Sequence, residues 1–443
     1  MIKTLLFKPL RLQKFKTNKL ISLKTIMLFT LCVFMNNQTA TAQVRLASVE
    51  PIKLDRDICI YKPDPNPVKS FIPRSNDVRE RMSRDINGTC ATFNVNYTGF
   101  TPQAEAAFDF AVAIWANSII SSVPIVIDAD FGPLGSGILG GAGATNYMGL
   151  TGGVLPETTW FAQPLAEALL GSDENAGAAD INATFSSTFP FYFGTDGNPP
   201  LGQYDFVSVV LHEIGHGLGI AGFGGEELDM DDNPTGLGEI RAQGFASIWD
   251  YHIENGSDVS ILSFTDPSVA LLDEFTGDDL FSNGVETTQQ NGAVNPKIYA
   301  PDPFDSGSSY SHWDEATYLA GNANSLMTPQ IGAGEAIHDP GLVTLGFMND
   351  MGWSICNDLL STRNIKAESL FAYYPNPVND EITFEAKTII KNVAVYNILG
   401  QKVMQASPNS MDSKMNLFEL TSGIYLVQVS INNTIKTVRI VKN

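Results

Sequence analysis

The run VVLHEIGHGLGIAGF (209–223) holds two histidines and a glutamate at a spacing that can do metal chemistry. His212 and His216 lie four residues apart, so a helix turns both imidazoles to one face and toward one ion. Glu213 adjoins the first and can reach a water held on that ion. Zinc suits such donors, because imidazole binds it well and an open fourth position keeps water reactive. The whole chain has only five histidines, so a chance H-E-x-x-H is rare. The competing reading is a pair of hydrogen-bonded core histidines. Zinc also needs a third protein ligand, and the run contains none.

The surrounding pattern predicts the elements that would carry these residues. Residues 206–219 read as an apolar helix. TFNVNYTGF (92–100) alternates as a strand. Thr101 and Pro102 then stand as N-cap and first helical residue. Behind them Ala104, Ala107, Phe108, Ala111, Ile114 and Trp115 recur on one helical face, as core positions do. VPIVIDADF (123–131) and DINATFSS (180–187) read as further strands. The glycine-rich run GPLGSGILGGAGAT (132–145) has neither lysine nor P-loop spacing, which argues against phosphate binding. Residues 224–311 are loop-like. Within them Asp229, Asp231, Asp232 and Asn233 cluster, but a calcium loop would also need Gly at its sixth position and Glu at its twelfth. A solvated acidic loop is the simpler reading there, with Ca2+ as the alternative.

Composition sets the class. The 443 residues are 44% hydrophobic and 17% charged, as in a globular chain of two or three domains. The formal charge is -21, yet residues 1–42 hold seven Lys or Arg and no acid. Without them the chain has 20 basic and 48 acidic residues, making nucleic acid and anionic membranes poor partners. Residues 1–42 read as an export signal: a basic stretch, the apolar run IMLFTLCVFM, and Ala40-x-Ala42 for cleavage. No other stretch has transmembrane length, so none is expected in the mature chain. Residues 43–90, rich in Pro and Arg, read as a loose extension or propeptide. Cys59, Cys90 and Cys356 outlast the signal. A Cys59–Cys90 disulfide is the simplest pairing in an oxidising compartment, and a Cys59 thiolate capping a metal is the sharper alternative. Residues 91–355 form the expected metal-bearing domain, with a long insertion at about 224–311, and 356–370 a linker. Residues 371–443 shift from acidic to slightly basic and break into Val/Ile-rich runs, the pattern of a small all-β sandwich. The expected fold class is therefore α+β, with a mixed sheet and an active-site helix ahead of that sandwich.

With Gly219 at the turn after the helix, the run resembles the metzincin zinc peptidases, whose motif continues as H-E-x-x-H-x-x-G-x-x-H. Gly222 stands where their third histidine belongs. NSLMTP (324–329) resembles their methionine turn, with Met327 supporting the site from below. The third ligand then falls between Gly219 and Met327, where His252 and His312 are the histidines. His312, in SHWDEATY, is fifteen residues before the methionine. This arrangement is similar to the leishmanolysin branch, whose third histidine is separated by a long insertion and sits in such a context. The resemblance spans roughly 91–353 and implies His212, His216 and His312 on zinc, with Glu213 as general base. His252 is the chief rival, ahead of Asp250, Glu226 and Asp229. His338, in GEAIHDPG, is expected to line the cleft or cap a helix. Pro329 stands where some metzincins carry a tyrosine, so no phenolic aid is expected. Peptide substrate would pair with an edge strand, for which DINATFSS is the candidate.

YYPNPVND (373–380), NILGQKV (397–403) and LTSGIYLVQV (420–429) resemble the type IX secretion sorting domain of Bacteroidetes. That likeness implies partnership with the type IX machinery, passage through the periplasm, and release or attachment at the outer surface. A sugar- or protein-binding accessory domain is the alternative for the tail. The combined expectation is a secreted zinc endopeptidase. The alternatives are a non-catalytic adhesin on the same framework and a zinc hydrolase of non-protein amides.

Overall fold

The computed structural model describes residues 44–54, 59–83, 89–152, 155, 158–356, 371–374, 378–396, 402–421, 423–431 and 434–442. The expected export signal (1–42), the linker beyond Cys356, the middle of the run YYPNPVND and the first five residues of NILGQKV lie outside them. The chain is mixed α+β and divides into two compact units. One comprises described residues up to Pro73 together with Ala91–Ala113 and Ser121–Trp353; the other holds the rest, including the tail. No helix among the described residues is long and apolar enough to cross a membrane.

The first unit is organised by a six-stranded mixed sheet. Its strands, in chain order, are β1 (Cys59–Asp64), β3 (Phe93–Thr98), β4 (Ile125–Gly132), β5 (Gly140–Ala144), β6 (Ile181–Ser186) and β7 (Gln330–Gly332), while β2 (Ser70–Ile72) pairs elsewhere with β8 (Glu335–Ile337). The spatial order is β7-β1-β5-β6-β4-β3. Strands β3 and β4 run parallel across helix α1 (Pro102–Ala116), whose start is capped by Thr101 accepting the Ala104 N–H. All six apolar residues expected on its buried face are 0% exposed. Phe108 of α1 and Phe206 at the head of helix α2 (Phe206–Gly217) both meet the Phe185 ring on β6, so the two helices are anchored to one strand.

Three expectations meet a different structure, and one run for which no element was expected forms a strand. DINATFSS becomes β6, but β6 pairs parallel to β4 and antiparallel to β5, so neither of its edges is free for substrate. The glycine-rich run contributes a full strand, β5, in which Gly140 leaves room for the Phe185 ring of β6, 3.0 Å from where a Cβ would stand. The loop-like stretch 224–311 contains the hairpin Gly225–Leu228/Pro234–Glu239 and helix Val269–Phe275, held by buried Trp249, Leu271 and Phe275. Residues 43–90 contribute β1 to the central sheet and β2 to the β8 pair.

The expected Cys59–Cys90 disulfide is not formed: Cys90 pairs with Cys356, with Cα atoms 5.9 Å apart. The Cys90 N–H donates to Ala116 O and the Cys356 N–H to Ser118 O, so both thiols are carried to one short segment. Cys59 is committed to β1 opposite Ala142, and its thiol is pushed up to about 12 by burial.

The tail is all-β: β9 (Phe371–Tyr374), β10 (Glu381–Tyr396), β11 (Lys402–Ala406), β12 (Ser410–Asn416), β13 (Gly423–Ile431) and β14 (Thr434–Lys442). Instead of two separate sheets they form one hydrogen-bonded set, because the sixteen-residue β10 pairs with β9, β11, β12 and β13. A register break between Glu385 and Ile390 lets one strand serve both groups. Ile382, Phe384, Val393, Val427 and Ile440 are at the centre of its apolar core.

Candidate metal centre

All twelve residues of helix α2 are buried, so it has no solvent-facing side and its polar groups, Ser208, His212, Glu213 and His216, must find partners inside. Asp205 caps its N-terminus, accepting the Ser208 N–H at 2.9 Å and the Ser208 hydroxyl at 2.7 Å. His338 reaches the same carboxylate at 2.8 Å, so this histidine anchors the cap and belongs to no metal cluster. Gly219 has φ of 110°, a conformation side chains disfavour, and the turn it permits brings Ile220 O to 2.6 Å from His216 Nδ1.

Three imidazoles meet beneath this helix. The Nε2 atoms of His212, His216 and His312 are 3.0, 3.1 and 3.3 Å apart. Each Nδ1 lies 2.6 Å from a backbone carbonyl: Leu326 for His212, Ile220 for His216 and Ser308 for His312. A carbonyl can only accept, so each Nδ1 carries the proton and each Nε2 presents a lone pair. Burial holds His212 and His312 well below the usual histidine range, helped by the neighbouring rings, and holds His216 at about 4. Three neutral acceptors therefore face one another with no donor among them, a costly arrangement in a buried site. A cation at their centre resolves it. Zinc–nitrogen bonds of about 2.0–2.1 Å at tetrahedral angles set the nitrogens about 3.3 Å apart, close to the separations found. The residues present fit that ion.

Gly222 explains why the third histidine of the cluster is not local. A Cβ there would come within 2.2 Å of the Tyr310 ring and 2.5 Å of Trp249. The Gly222 N–H donates to Ser311 Oγ, next to His312. The segment that delivers His312 thus fills the space that a side chain at 222 would need. Met327 is fully buried in the short turn Ser325–Met327, and the link from this turn to the site is its neighbour, the Leu326 carbonyl on His212.

The rivals for the third position lie elsewhere. His252 packs edge-on against Phe347. Asp250 accepts from the Phe223 and Ser247 N–H groups and the Tyr310 hydroxyl. Glu226 pairs in the hairpin opposite Gly238. Asp229 is turned onto the N–H groups of Asp231 and Asn233 in an exposed loop, so the alternative Ca2+ reading gains no convergent ligand set among the described residues.

Glu213 is fully buried beside the triad. Its Oε1 accepts the Tyr61 N–H at 3.2 Å and the carboxylate is also reached by the Ala142 N–H, while Oε2 has no partner. Burial pushes this carboxyl well above the usual range, against the pull of those two donors. The Tyr61 ring lies 3.6 Å from the His212 ring at an interplanar angle of 5°. Sequence reasoning missed Tyr61, since nothing in CIYKPD marks it. It also missed the three orienting carbonyls, which any residue could supply.

No curated protein matches the chain. A solved structure of PorZ, a surface component of the type IX secretion system of Porphyromonas gingivalis, is similar over 18% of this chain and 12% of its own length, at 19% identity and a TM-score of 0.16. This chain spans far less than two thirds of that protein, and a likeness so loose carries no argument. Residues 372–443 match the family of secretion system C-terminal sorting domains. The tail is therefore a type IX sorting domain that engages the type IX machinery, and the chain is secreted or attached at the cell surface.

Proposed function

We propose that the chain is a secreted zinc-dependent endopeptidase of metzincin type, nearest the leishmanolysin branch. The observation that carries this reading is the convergence of three unprotonated Nε2 atoms, from residues up to 100 positions apart, beside a buried glutamate. Zinc held there supplies Lewis acidity toward water and toward the scissile carbonyl. The three histidines would hold the ion through Nε2, and their Nδ1–carbonyl bonds fix tautomer and ring plane. Glu213 is the proton carrier: its buried carboxylate takes a proton from the attacking water and returns it to the leaving amine. Met327 supports the site without touching the reaction, and Pro329 offers no phenol.

The second reading, a non-catalytic surface adhesin on the same framework, draws on one observation: His212, Glu213, His216 and His312 are all 0% exposed. Zinc content and chelator-sensitive casein hydrolysis, measured on intact and N-terminally trimmed protein, separate the two. Glu213→Gln is expected to keep its zinc and lose about 10²–10⁴ of the activity, the range for removing a general base. Zinc-loaded wild type that cuts nothing in either form would sink the peptidase reading.

A further inference from the structure

One buried side chain near the histidine cluster is ill matched to its surroundings. Tyr61 is 0% exposed and lies flat on the His212 ring, and its hydroxyl has no hydrogen-bond partner among the described residues. The charges that act on that hydroxyl most strongly are Glu335 and Glu315, ahead of Glu213. A phenol brings one donor and no charge to two carboxylates, and here it bonds to neither.

The two acids are held from opposite ends of β7. Glu335 stands on β8, is 3% exposed, and accepts the Gly332 N–H at 3.2 Å and also the Gly321 N–H. Glu315 lies three residues beyond His312 and is reached by the Gln330 N–H, while its enclosed Oε2 has no partner among the described residues. No cation neutralises either acid among the described residues; the other charge acting on both is Asp64, a third acid. Burial, with repulsion from Glu335, raises Glu315 to about 7, and burial raises Glu335 as well. Backbone donors thus fix both carboxylates in place, yet a buried pair of acids stays costly until a cation joins it.

Three features of this recess select among ligands. It begins over the His212 ring, so whatever fills it lies beside the metal centre. Its far end presents two fixed acids and one open oxygen, which suits an ammonium or the spread donors of a guanidinium. Its depth is that of a tyrosine side chain, and lysine and arginine carry their charge about as far from the Cα. A neutral or acidic side chain would leave the acids unpaired. The excess of acidic over basic residues outside 1–42, 48 against 20, draws the same basic partners by long-range attraction.

Resting on the peptidase reading, we infer that Glu315 and Glu335 form a cation-selective subsite beside the metal centre, which takes the side chain of a lysine or arginine adjoining the bond to be cut. They determine specificity and stay out of the proton transfer assigned to Glu213.

The test uses the full-length, zinc-loaded chain and two readouts that fail separately. The first is thermal unfolding at pH 8 of Tyr61→Lys and Tyr61→Met, each with the native acids and with Glu315→Gln and Glu335→Gln together. Loss of the acids should lower the midpoint of the Tyr61→Lys chain by on the order of 5 °C and leave that of the Tyr61→Met chain level or higher. Equal shifts in the two chains would overturn the cation subsite whether or not the protein is a peptidase. The second readout is casein hydrolysis with the cut bonds identified by sequencing. Lys or Arg should adjoin most of them. Glu315→Gln with Glu335→Gln, on native Tyr61, should lower cutting at those bonds at least about tenfold relative to bonds between neutral residues. Should neither variant at 61 fold, this readout decides, and a cleavage pattern unchanged by the two glutamines overturns the inference. The expected midpoint shifts with no hydrolysis by any zinc-loaded form would remove the peptidase reading and the substrate class with it, while upholding the cation subsite.

Discussion

The unit that carries the histidine cluster and the sorting tail are built on opposite plans. In the tail, each strand pairs with one close in sequence or with the long β10, and the core is a set of apolar side chains on short alternating runs. In the histidine-bearing unit, the groups that converge come from residues 61, 212–220, 308–312 and 326, separated by as many as 152 positions in a single hydrogen bond. The tail is legible as a string of local phrases. The centre exists only once distant segments have been assembled. A function carried as an address can be local; a function carried as chemistry needs convergence.

The largest test of this division is removal of 372–443. The truncated chain is expected to stay in the periplasm of a type IX-competent cell while binding zinc as the full chain does, measured by fractionation and metal analysis. Loss of zinc together with export would mean that the two plans are not separable. Within the histidine-bearing unit, His312→Ala should weaken the proposed zinc binding by more than the roughly 10–100-fold that follows loss of an outer-shell partner, and His252→Ala should leave it unchanged, in a competition titration. An equal effect from both would remove His312 from the ligand set. Gly222→Ala should cost about 1–3 kcal/mol in denaturant unfolding, because its Cβ meets the rings of Tyr310 and Trp249. For the same reason, Gly222→His should not restore zinc to His312→Ala.

The smallest effect is on pH. Burial raises Asp250 to about 6 and Glu315 to about 7. Both folded values lie above the ordinary ones, so folding favours the protonated acids. The stability they contribute is complete at acidic pH and is lost as pH climbs through 6 and 7. Relative to wild type, metal-free protein carrying both Asp250→Asn and Glu315→Gln should therefore gain thermal midpoint in this unit by a few degrees, on the order of 3 °C, between pH 5 and pH 8. The tail has no buried Asp or Glu among the described residues, and its own transition should not follow. A calorimetric scan in which both transitions moved alike would erase that distinction.

How much could be read in advance follows the same line. Helix α2, its two histidines and its glutamate were legible because they occupy one periodic run. Strands β3, β4 and β6 and the α1 face were legible from alternation and helical spacing. His312 was reached only through resemblance, since no periodicity links residues 96 positions apart. The edge role expected of β6 failed because alternation specifies a strand but not its neighbours, and the glycine run that became β5 has almost no side chains to alternate. The disulfide failed for a related reason: proximity in sequence favoured Cys59, whereas the carbonyls of Ala116 and Ser118 carried Cys90 to Cys356.

The carbonyls behind the three histidines set what kind of genetic change the centre can survive. His216 leans on the oxygen four residues after it and His312 on the oxygen four residues before it. Point substitutions at 220, 308 or 326 leave those oxygens in place, so whatever they cost the buried packing there they leave the ring orientation its partner. A single inserted or deleted residue within 216–220 or 308–312 would swing a ring out of line without touching any histidine. The centre is tolerant of spelling and intolerant of length.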